Sequence, residues 1–493
     1  MKARGLFMST LFMSAVFAGC SNNEEINDIP VDKKVVQKES YVAINIVSSD
    51  ATASRAGIEG NFTAGAASEN EVKDLVLVFF DANGNYYDAQ SPAFNWEGVN
   101  GNNPAVEKKS DVVVVFKEKE VKPTSFVALL NTGKPASEFA DKSLAQIKAM
   151  ISNYYNNVGE TSYFVMSNAV YADGGIQIAA PITDDMICNT EDDAKKNPAS
   201  AYVERVATKL EATASATATF EGKEVTLNGK TVTLIPSITG MKFIHTASAS
   251  NLLKNIDGFN ITEPFEGWND AVNFRSYWAN SYADATYSKA SYNDAVTGNF
   301  LTEYANENTS ATPTKLLVTA TISAEEGGTL VDIFKYKGYY YTEAGLYTHI
   351  ASILKGKSLK YTQEGTEGDD WASVLKVTHP EGVEQWEGVI GVVEGVTLDE
   401  ITAAEIAKFE KVLWWNEGKC YFYVTVDHFG GKIGVVRNHW YQLIINSVSG
   451  LGTPVADPTE PIDPSTIEEE TYYVAAQIQI LKWKMVSQEV ELK

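Results

Sequence analysis

The chain has 493 residues, 44% of them hydrophobic, and its 64 acidic and 40 basic residues give a formal net charge of −24. A chain of this length can bury at least two hydrophobic cores, so we expect two domains with terminal extensions. The acidic charge argues against nucleic acid or anionic membrane surfaces as partners, and it favours solubility and repulsion between free copies of the chain.

The first residues have the pattern of an export signal. Lys2 and Arg4 precede an apolar run from residue 6 to residue 17, which is shorter than the roughly 20 residues that a membrane-spanning helix needs. Small residues and Cys20 end the run, so we predict a lipoprotein signal peptide over residues 1–19 and diacylglycerol on the sulfur of Cys20. The alternative is an ordinary secretory signal followed by an incidental cysteine.

A tether and a single strand follow the signal. Residues 21–40 are polar and acidic, with too little apolar content to pack. The alternation in residues 41–47 predicts a strand with Val42, Ile44 and Ile46 on one face. We therefore treat residues 20–55 as one N-terminal unit, a lipidated tether with a strand.

A loop of small residues, 48–60, comes next and has Arg55 in its middle. By composition alone Arg55 is a solvated loop charge, the usual state of an arginine. The chain has only five arginines: Arg4, Arg55, Arg205, Arg275 and Arg437.

β-type segments dominate the remainder of the first half, and one amphipathic helix is predicted around residues 144–154. The strands are expected at residues 72–80, 112–116, 125–130 and 203–210. The helix is indicated by the apolar spacing of Leu144, Ile147, Ile151 and Tyr154. We expect these elements to form an N-terminal β-sandwich domain over residues 56–215.

The second half repeats this style and predicts a C-terminal β-sandwich domain over residues 216–453. Helices are expected at residues 342–354 and 398–413. Strands are expected at residues 231–235, 315–322, 388–393, 420–426 and 440–448. The predicted fold class is mainly β, with two tandem antiparallel β-sandwich domains and a few short helices.

The tail, residues 454–493, differs from both domains. Four prolines interrupt an acidic stretch, which predicts a hydrophilic and partly extended spacer. Alternating apolar residues then predict strand-forming sequence, and its last apolar positions are Val486, Val490 and Leu492.

We find no sequence pattern that carries catalysis. Zinc-protease, nucleophile-elbow, dinucleotide-binding and phosphate-loop motifs are absent, and the five histidines are widely separated in sequence. Cys188 and Cys420 are expected to be buried free thiols, and no cysteine or histidine cluster offers a metal site. We predict no catalytic residue, no metal and no cofactor. The aromatic runs at 339–341 and 414–415 suit packing better than sugar stacking.

Several passages resemble one family, the minor fimbrillins, which are subunits of the type V pili of Bacteroidales. Residues 434–454 (GVVRNHWYQLIINSVSGLGTP) are similar to the late signature of the C-terminal domain in that family. Passages similar to the family also occur, in the expected order, at residues 69–79, 126–131, 164–168, 203–209 and 418–423.

The resemblance implies transthyretin-like fimbrillin domains and a mechanism of assembly. Precursors of the family reach the outer membrane as lipoproteins and are cut after an arginine by an extracellular trypsin-like protease. The cut frees the first strand, and the vacated groove takes the C-terminal strand of another subunit. In this chain Arg55 and Ala56 match the cleavage position, Val42, Ile44 and Ile46 the strand to be lost, and Val486, Val490 and Leu492 the donor.

Physical chemistry independently supports this mechanism. Loss of a strand leaves unpaired backbone groups and an apolar groove, an edge that accepts a strand from another chain. Head-to-tail exchange does not close on itself, so its product is a filament.

The predicted partners are identical or homologous fimbrial subunits in head-to-tail contact, anchor and tip fimbrial proteins, and an arginine-specific extracellular protease. Outer-membrane lipid is a partner before processing. The expected location is a fimbrium on the cell surface. The alternatives are a monomeric outer-membrane lipoprotein adhesin or tip subunit that binds carbohydrate or a host protein, and a secreted hydrolase.

Overall fold

The computed structural model contains a compact unit that begins at Glu39. It describes residues 39–48, 66–98, 108–117, 121–158, 161–170, 177–258, 279–324, 328–409, 411–428, 431–464, 473–482 and 485–488. Strands dominate these residues, so the predicted mainly β class is confirmed.

The strands of the first half alternate with short turns. They are β1 (Glu39–Ser48), β2 (Leu75–Phe80), β3 (Tyr86–Gln90), β4 (Glu97–Gly98), β5 (Lys108–Lys117), β6 (Ser125–Leu130), β7 (Ile151–Ser152), β8 (Tyr155–Val158), β9 (Thr161–Phe164), β10 (Met166–Asn168), β11 (Ala180–Pro181) and β12 (Ala199–Arg205).

The second half begins with longer strands. The first of these are β13 (Ala207–Glu221), β14 (Lys223–Leu227), β15 (Lys230–Ile244), β16 (Ser250–Asn251), β17 (Ala290–Ser291), β18 (Val296–Thr297), β19 (Phe300–Asn306), β20 (Lys315–Ser323), β21 (Ile333–Tyr336) and β22 (Tyr339–Thr342). The rest are β23 (Tyr361–Gln363), β24 (Thr366–Gly368), β25 (Leu375–Thr378), β26 (Glu387–Val392), β27 (Val396–Thr397), β28 (Val412–Trp415), β29 (Lys419–Thr425), β30 (His439–Ser449), β31 (Thr453–Pro454), β32 (Pro461–Ile462), β33 (Tyr473–Lys482) and β34 (Met485–Gln488).

The described residues also form four α-helices, all short. They are α1 (Leu144–Lys148), α2 (Glu191–Ala194), α3 (Glu343–Gly356) and α4 (Glu400–Ile406). None of the helices in the described part of the chain is long and apolar enough to cross a membrane.

The first sheet curls around its own hydrophobic core. Its strands run in the order β3-β2-β6-β10-β12-β1-β5-β4, with β11 beside β6. Phe79 of β2 meets Phe116 of β5 edge to face at 4.9 Å between ring centroids, although these strands are not neighbours in the sheet. The side-chain amide of Gln90 in β3 donates to the Val115 carbonyl in β5 at 2.9 Å. The two ends of the sheet therefore face each other, as in a sandwich.

The other face of this sheet packs against the second half of the chain. Leu75, Leu77 and Phe79 point into the core of the curled sheet, because side chains alternate along a strand. Val76 and Phe80 belong to a second hydrophobic cluster, which also contains strands of the second half. Both faces of β2 are thus buried, which explains its unbroken apolar sequence.

Two larger sheets organise the second half. One has the order β19-β13-β30-β33-β34, and the other has the order β25-β26-β28-β21-β22-β14-β15-β20-β29-β31 with β18 beside β15. Most pairs are antiparallel, and the described parallel pairs are β1 with β12, β13 with β30, and β14 with β22. The predicted boundary between residues 215 and 216 falls within β13, close to a register shift after Ala214. The division into domains 56–215 and 216–453 stays a prediction.

The helix predicted around residues 144–154 is much shorter in the structure. Its start is well defined, because Ser143 caps the first turn and accepts from the backbone N–H of Gln146 at 3.3 Å. It ends by Ala149, and Ile151 instead begins β7, which pairs with β16 of the second half. Tertiary pairing has overridden the helical spacing of the apolar residues.

Candidate functional site: the first strand and the C-terminal hairpin

β1 lies inside the first sheet and pairs with a strand on each side. It is antiparallel to β5 over all ten of its residues, and it is parallel to β12 from Ile44 onward. Tyr41 also exchanges two backbone hydrogen bonds with Cys188, at 2.8 and 2.9 Å. The strand predicted at residues 41–47 is therefore present, and it is a central strand instead of an edge.

The predicted inward face of β1 is part of the core. Val42 and Ile44 are fully buried, and they belong to the cluster enclosed by the curled sheet. Ile46 lies in β1 as predicted, but its side chain lies outside the described part of the structure. Burial of two such side chains contributes about 1.5–3 kcal/mol each before entropy.

Removal of β1 alone would open a slot with two unpaired edges. The edge of β5 would expose backbone groups along Lys108–Lys117, and the edge of β12 would expose those along Ala199–Val203. The floor of the slot would be the apolar core that Val42 and Ile44 now cover. Such a slot accepts one extended chain with alternate apolar side chains.

The chain after the predicted loop is fixed by a buried carboxylate. Glu69 is 2% exposed, accepts from Lys209 Nζ at 2.9 Å and from the Ala66 backbone N–H at 2.8 Å, and also accepts from the Tyr304 hydroxyl. Burial raises the pKa of Glu69, but hydrogen bonds from Tyr304 and Lys209 outweigh it, and the pKa lies below its usual value. Glu69 is therefore an ionised anchor.

Arg205 holds the same turn by a hydrogen bond to the main-chain carbonyl of Glu69. Its Nε donates to the Glu69 carbonyl at 2.9 Å, and its guanidinium and backbone N–H reach the side-chain oxygen of Asn438 at 3.4 Å. β12, the segment before β30 and the turn Ala67–Asn70 are thus tied together. We call Glu69, Lys209, Arg205 and Tyr304 the anchor cluster. The sequence did not reveal it, because its members are far apart along the chain.

The signature at residues 434–454 connects several parts of the second half through buried contacts. Arg437 is fully buried, and its guanidinium donates to the Leu252 carbonyl at 3.1 Å, to Ser250 Oγ at 3.0 Å and to Glu307 at 3.4 Å. The backbone N–H of Arg437 also donates to Glu307, at 3.1 Å. A buried arginine needs this many acceptors, because an unpaired buried charge is strongly destabilising.

The aromatic residues of the signature also contact other parts of the chain. The Tyr441 hydroxyl lies 2.7 Å from His428 Nδ1 and accepts from the Val436 backbone N–H at 2.9 Å. Trp440 lies under the ammonium of Lys209, 4.1 Å from ring to Nζ, which links the signature to the anchor cluster. These contacts place the signature in the interior, where it serves the fold.

The arginines differ in accessibility. Arg205 is 4% exposed and Arg437 is fully buried, so neither offers a protease an extended backbone. Arg4, Arg55 and Arg275 lie outside the described residues, as do Cys20 and Ala56.

The predicted donor region forms a hairpin in the structure. β33 is antiparallel to β30 over its length, and β34 pairs with β33 as the last strand of that sheet in the described part of the chain. Val486 lies in β34, whereas Val490 and Leu492 lie outside the described residues. The donor assignment stays a prediction.

The beginning of the predicted spacer is packed. Val455 and Ile462 are buried in a small cluster with Leu317 and Tyr421. β31 pairs with β29, and β32 pairs with β17. The chain is therefore held against the second half as far as Pro464, and any arm that leaves the body starts after that residue.

The remaining candidates from the sequence are two thiols and two aromatic runs. Cys420 is buried, which raises the pKa of its thiol, whereas Cys188 is only half-buried, and both are free thiols. Trp415 is buried and donates to the Leu451 carbonyl at 3.1 Å, while Tyr339 is exposed. The described residues contain no group of three or more His, Cys, Asp or Glu side chains that could hold a metal ion.

Comparison with protein families supports the resemblance. Residues 414–489 match the family described as major fimbrial subunit protein type IV, fimbrillin, C-terminal. The match begins in β28, includes the signature and β33, and extends to the residue after β34. The C-terminal part of the chain is therefore similar to the C-terminal region of fimbrillins, and the resemblance to fimbrillins predicted from the sequence is confirmed.

Solved structures give a weaker likeness. A candidate cell adhesion protein from Bacteroides eggerthii is 11% identical, with 91% of this chain and 98% of that chain covered and a TM-score of 0.34. The tip fimbrial protein Mfa3 from Porphyromonas gingivalis is 13% identical, with 88% and 99% covered and a TM-score of 0.31. A fimbrial assembly protein from Parabacteroides distasonis is 13% identical, with 58% and 83% covered and a TM-score of 0.29. No curated protein sequence matches the chain.

Proposed function

We propose that the protein is a structural stalk subunit of a cell-surface fimbrium that polymerises by strand exchange. It is exported as an outer-membrane lipoprotein precursor acylated at Cys20. An arginine-specific protease cuts between Arg55 and Ala56, β1 leaves, and the C-terminal strand of another subunit fills its slot. A fimbrial structural role requires no catalytic site.

The position of β1 carries the proposal. It is the first described strand, it is central in its sheet, and residues 49–65 separate it from the anchor cluster. A cut in that segment would separate β1 from the body covalently, while Glu69 would hold the new N-terminal part in place. Burial of Arg205 and Arg437 leaves Arg55 and Arg275 as targets, and of these two a cut at Arg55 is the one that frees β1 from the rest of the chain.

The C-terminal hairpin suits the donor role. β33 and β34 lie at one end of their sheet, so they can leave it without opening a central strand. Packing up to Pro464 gives the arm a fixed root. Edge strands form and break pairs with other chains most readily. Val486, Val490 and Leu492 are proposed to fill the apolar floor that Val42, Ile44 and Ile46 occupy before cleavage.

The alternative is a monomeric lipoprotein adhesin or a tip subunit that binds carbohydrate or a host protein. A stalk subunit must both lose its first strand and donate its last one, whereas a monomeric adhesin needs neither step. Processing at Arg55 therefore separates these functions.

The test is an Arg55→Ala variant treated with an arginine-specific protease, with Arg275→Ala as the matched control. We expect the unaltered chain and the control to yield a species that begins at Ala56 and forms ladders on an unboiled denaturing gel. Arg55→Ala should stay intact and monomeric. Ladders from the Arg55→Ala chain, or none from the cleaved chain, would contradict the proposal.

A further inference from the structure

A cavity of about 620 Å³ opens in the second half of the chain, away from β1. Its volume falls within the range of about 300–1,000 Å³ that small-molecule sites occupy. The lining residues that bear on binding are His245, Thr286, Tyr287, Lys289, Lys315 and Asp463.

Two cations line this cavity. Lys289 is exposed and makes no ion pair with another residue of the described ranges. The Lys315 ammonium lies 4.6 Å above the Tyr423 ring and donates to the Pro464 carbonyl at 3.3 Å, without a carboxylate partner among the residues described. With Asp463 the charged side chains of the lining sum to a formal charge of +1, which is a local reversal of sign in a chain with a net charge of −24.

His245 forms a rigid part of the wall. Its backbone has a φ of 56°, in the left-handed region, and is held by hydrogen bonds to Ser288 at 2.9 Å and from Asn308 at 2.7 Å. The side chain is 8% exposed, and its Nδ1 is buried without a hydrogen-bond partner in the described part of the chain. Buried polar atoms normally have partners, and because solvent does not reach this atom, an enclosed water is the partner that we expect for it.

The His245 ring is neutral near pH 7. Burial lowers its pKa, Lys315 lowers the pKa further, and Asp463 opposes both effects. A hydrogen bond with the Pro313 backbone also opposes the lowering, and a neutral ring adds no charge to the cavity wall.

We propose that this cavity binds an acidic sugar of monosaccharide size. The carboxylate is recognised by the ammonium groups of Lys289 and Lys315, and the Tyr287 ring offers a face for the sugar ring. Asp463 and the Thr286 hydroxyl complete the polar lining beside the two ammonium groups. A neutral sugar offers neither ammonium group a carboxylate, so the site prefers the acid.

This binding does not depend on strand exchange, because the cavity is complete in the uncut chain. The test titrates glucuronate into the uncut chain by calorimetry, with glucuronate methyl ester, glucose and inorganic phosphate as comparison ligands. We expect saturable 1:1 binding of glucuronate. Each comparison ligand should bind about tenfold more weakly or not at all.

Two lysine variants complete the experiment. Lys289→Gln should weaken glucuronate binding about tenfold, whereas Lys376→Gln, at an exposed lysine on β25, should leave it unchanged. Circular dichroism is used to check that both variants fold. The proposal is overturned if glucuronate does not bind, if glucose or phosphate binds equally well, or if both variants bind like the unaltered chain.

Discussion

Glu69 joins the chain that follows the predicted cleavage loop to the second half of the molecule. Its side chain accepts from Lys209 and Tyr304, which are 140 and 235 positions away in sequence. Neither partner is detectable from local pattern, since only the folded chain brings them together. The sequence resemblance included Glu69 within a passage but gave it no role.

Replacement of Glu69 by Gln should destabilise the protein by about 3 kcal/mol, because Lys209 then keeps a largely buried charge without its partner. Urea unfolding measures the loss. Glu138→Gln is the matched control, because that side chain is exposed. Equal stability of the two variants would show that Glu69 does not anchor the chain.

The stability of the protein should also depend on the ionisation of Glu69. Its pKa in the folded chain is lower than the usual value of 4.5, so its contribution is complete above that pH. The contribution is lost as pH falls through the lower folded pKa. The free energy of unfolding should therefore decline less steeply below pH 4.5 in Glu69→Gln than in the unaltered chain. Parallel pH profiles would contradict this assignment.

At the scale of elements, local pattern predicted strands better than helices. β6 matches the predicted residues 125–130, and β30 extends the predicted strand by one residue at each end. Period-two alternation and apolar runs carry these predictions without long-range information. The helix at α1 was overestimated because the pairing partner of Ile151 is a hundred residues away, at Asn251.

The slot geometry could not be predicted from sequence. Alternation places Val42 and Ile44 on one face, but it does not say which strands lie on either side. The parallel pairing with β12 joins residues more than 150 positions apart. Only the folded sheet shows that β1 is central.

Ile44→Ala should destabilise the uncut precursor by about 2–5 kcal/mol, because it leaves a cavity in a fully buried core. Val115→Ala, on the exposed side of β5, is the control and should change stability by less than about 0.5 kcal/mol. Urea unfolding of both precursors measures the difference. Similar losses in the two variants would contradict a core role for β1.

Departure of β1 should be visible at Cys188. Its backbone loses two hydrogen bonds to Tyr41 when β1 leaves, so the segment around it opens more often. After cleavage at Arg55 and removal of the freed strand, thiol labelling of Cys188 should accelerate about tenfold. Cys420, which is fully buried in β29, should stay slow as an internal control. An unchanged labelling rate at Cys188 would mean that β1 remains in place.

At the scale of the whole molecule, the proposed assembly requires β1 to leave its sheet and the C-terminal strand of another subunit to take its place. Deletion of Val486–Lys493 removes all of β34 except Met485, together with the predicted donor positions, but it leaves β33 paired with β30. We expect a folded, cleavable monomer that no longer extends fibres, measured by light scattering after protease treatment. Replacement of the exposed loop residues Glu381 and Gly382 by Ala and Asn is the control and should assemble normally. Normal assembly of the deletion variant would show that the tail is not the donor.

The family match covers the C-terminal region alone, and sequence resemblance extended the same assignment to passages of the first half. The arrangement of β1, the anchor cluster and the hairpin supports the strand exchange that we propose. Length and charge contributed only the expectation of at least two hydrophobic cores and the argument against nucleic acid or anionic membrane as partners.

Mass spectrometry of subunits taken from purified fibres tests the central claim most directly. The account predicts chains that begin at Ala56 and lack residues 20–55, with the C-terminal residues intact. Fibre subunits that still contain Glu39–Ser48 on the same continuous chain would contradict it.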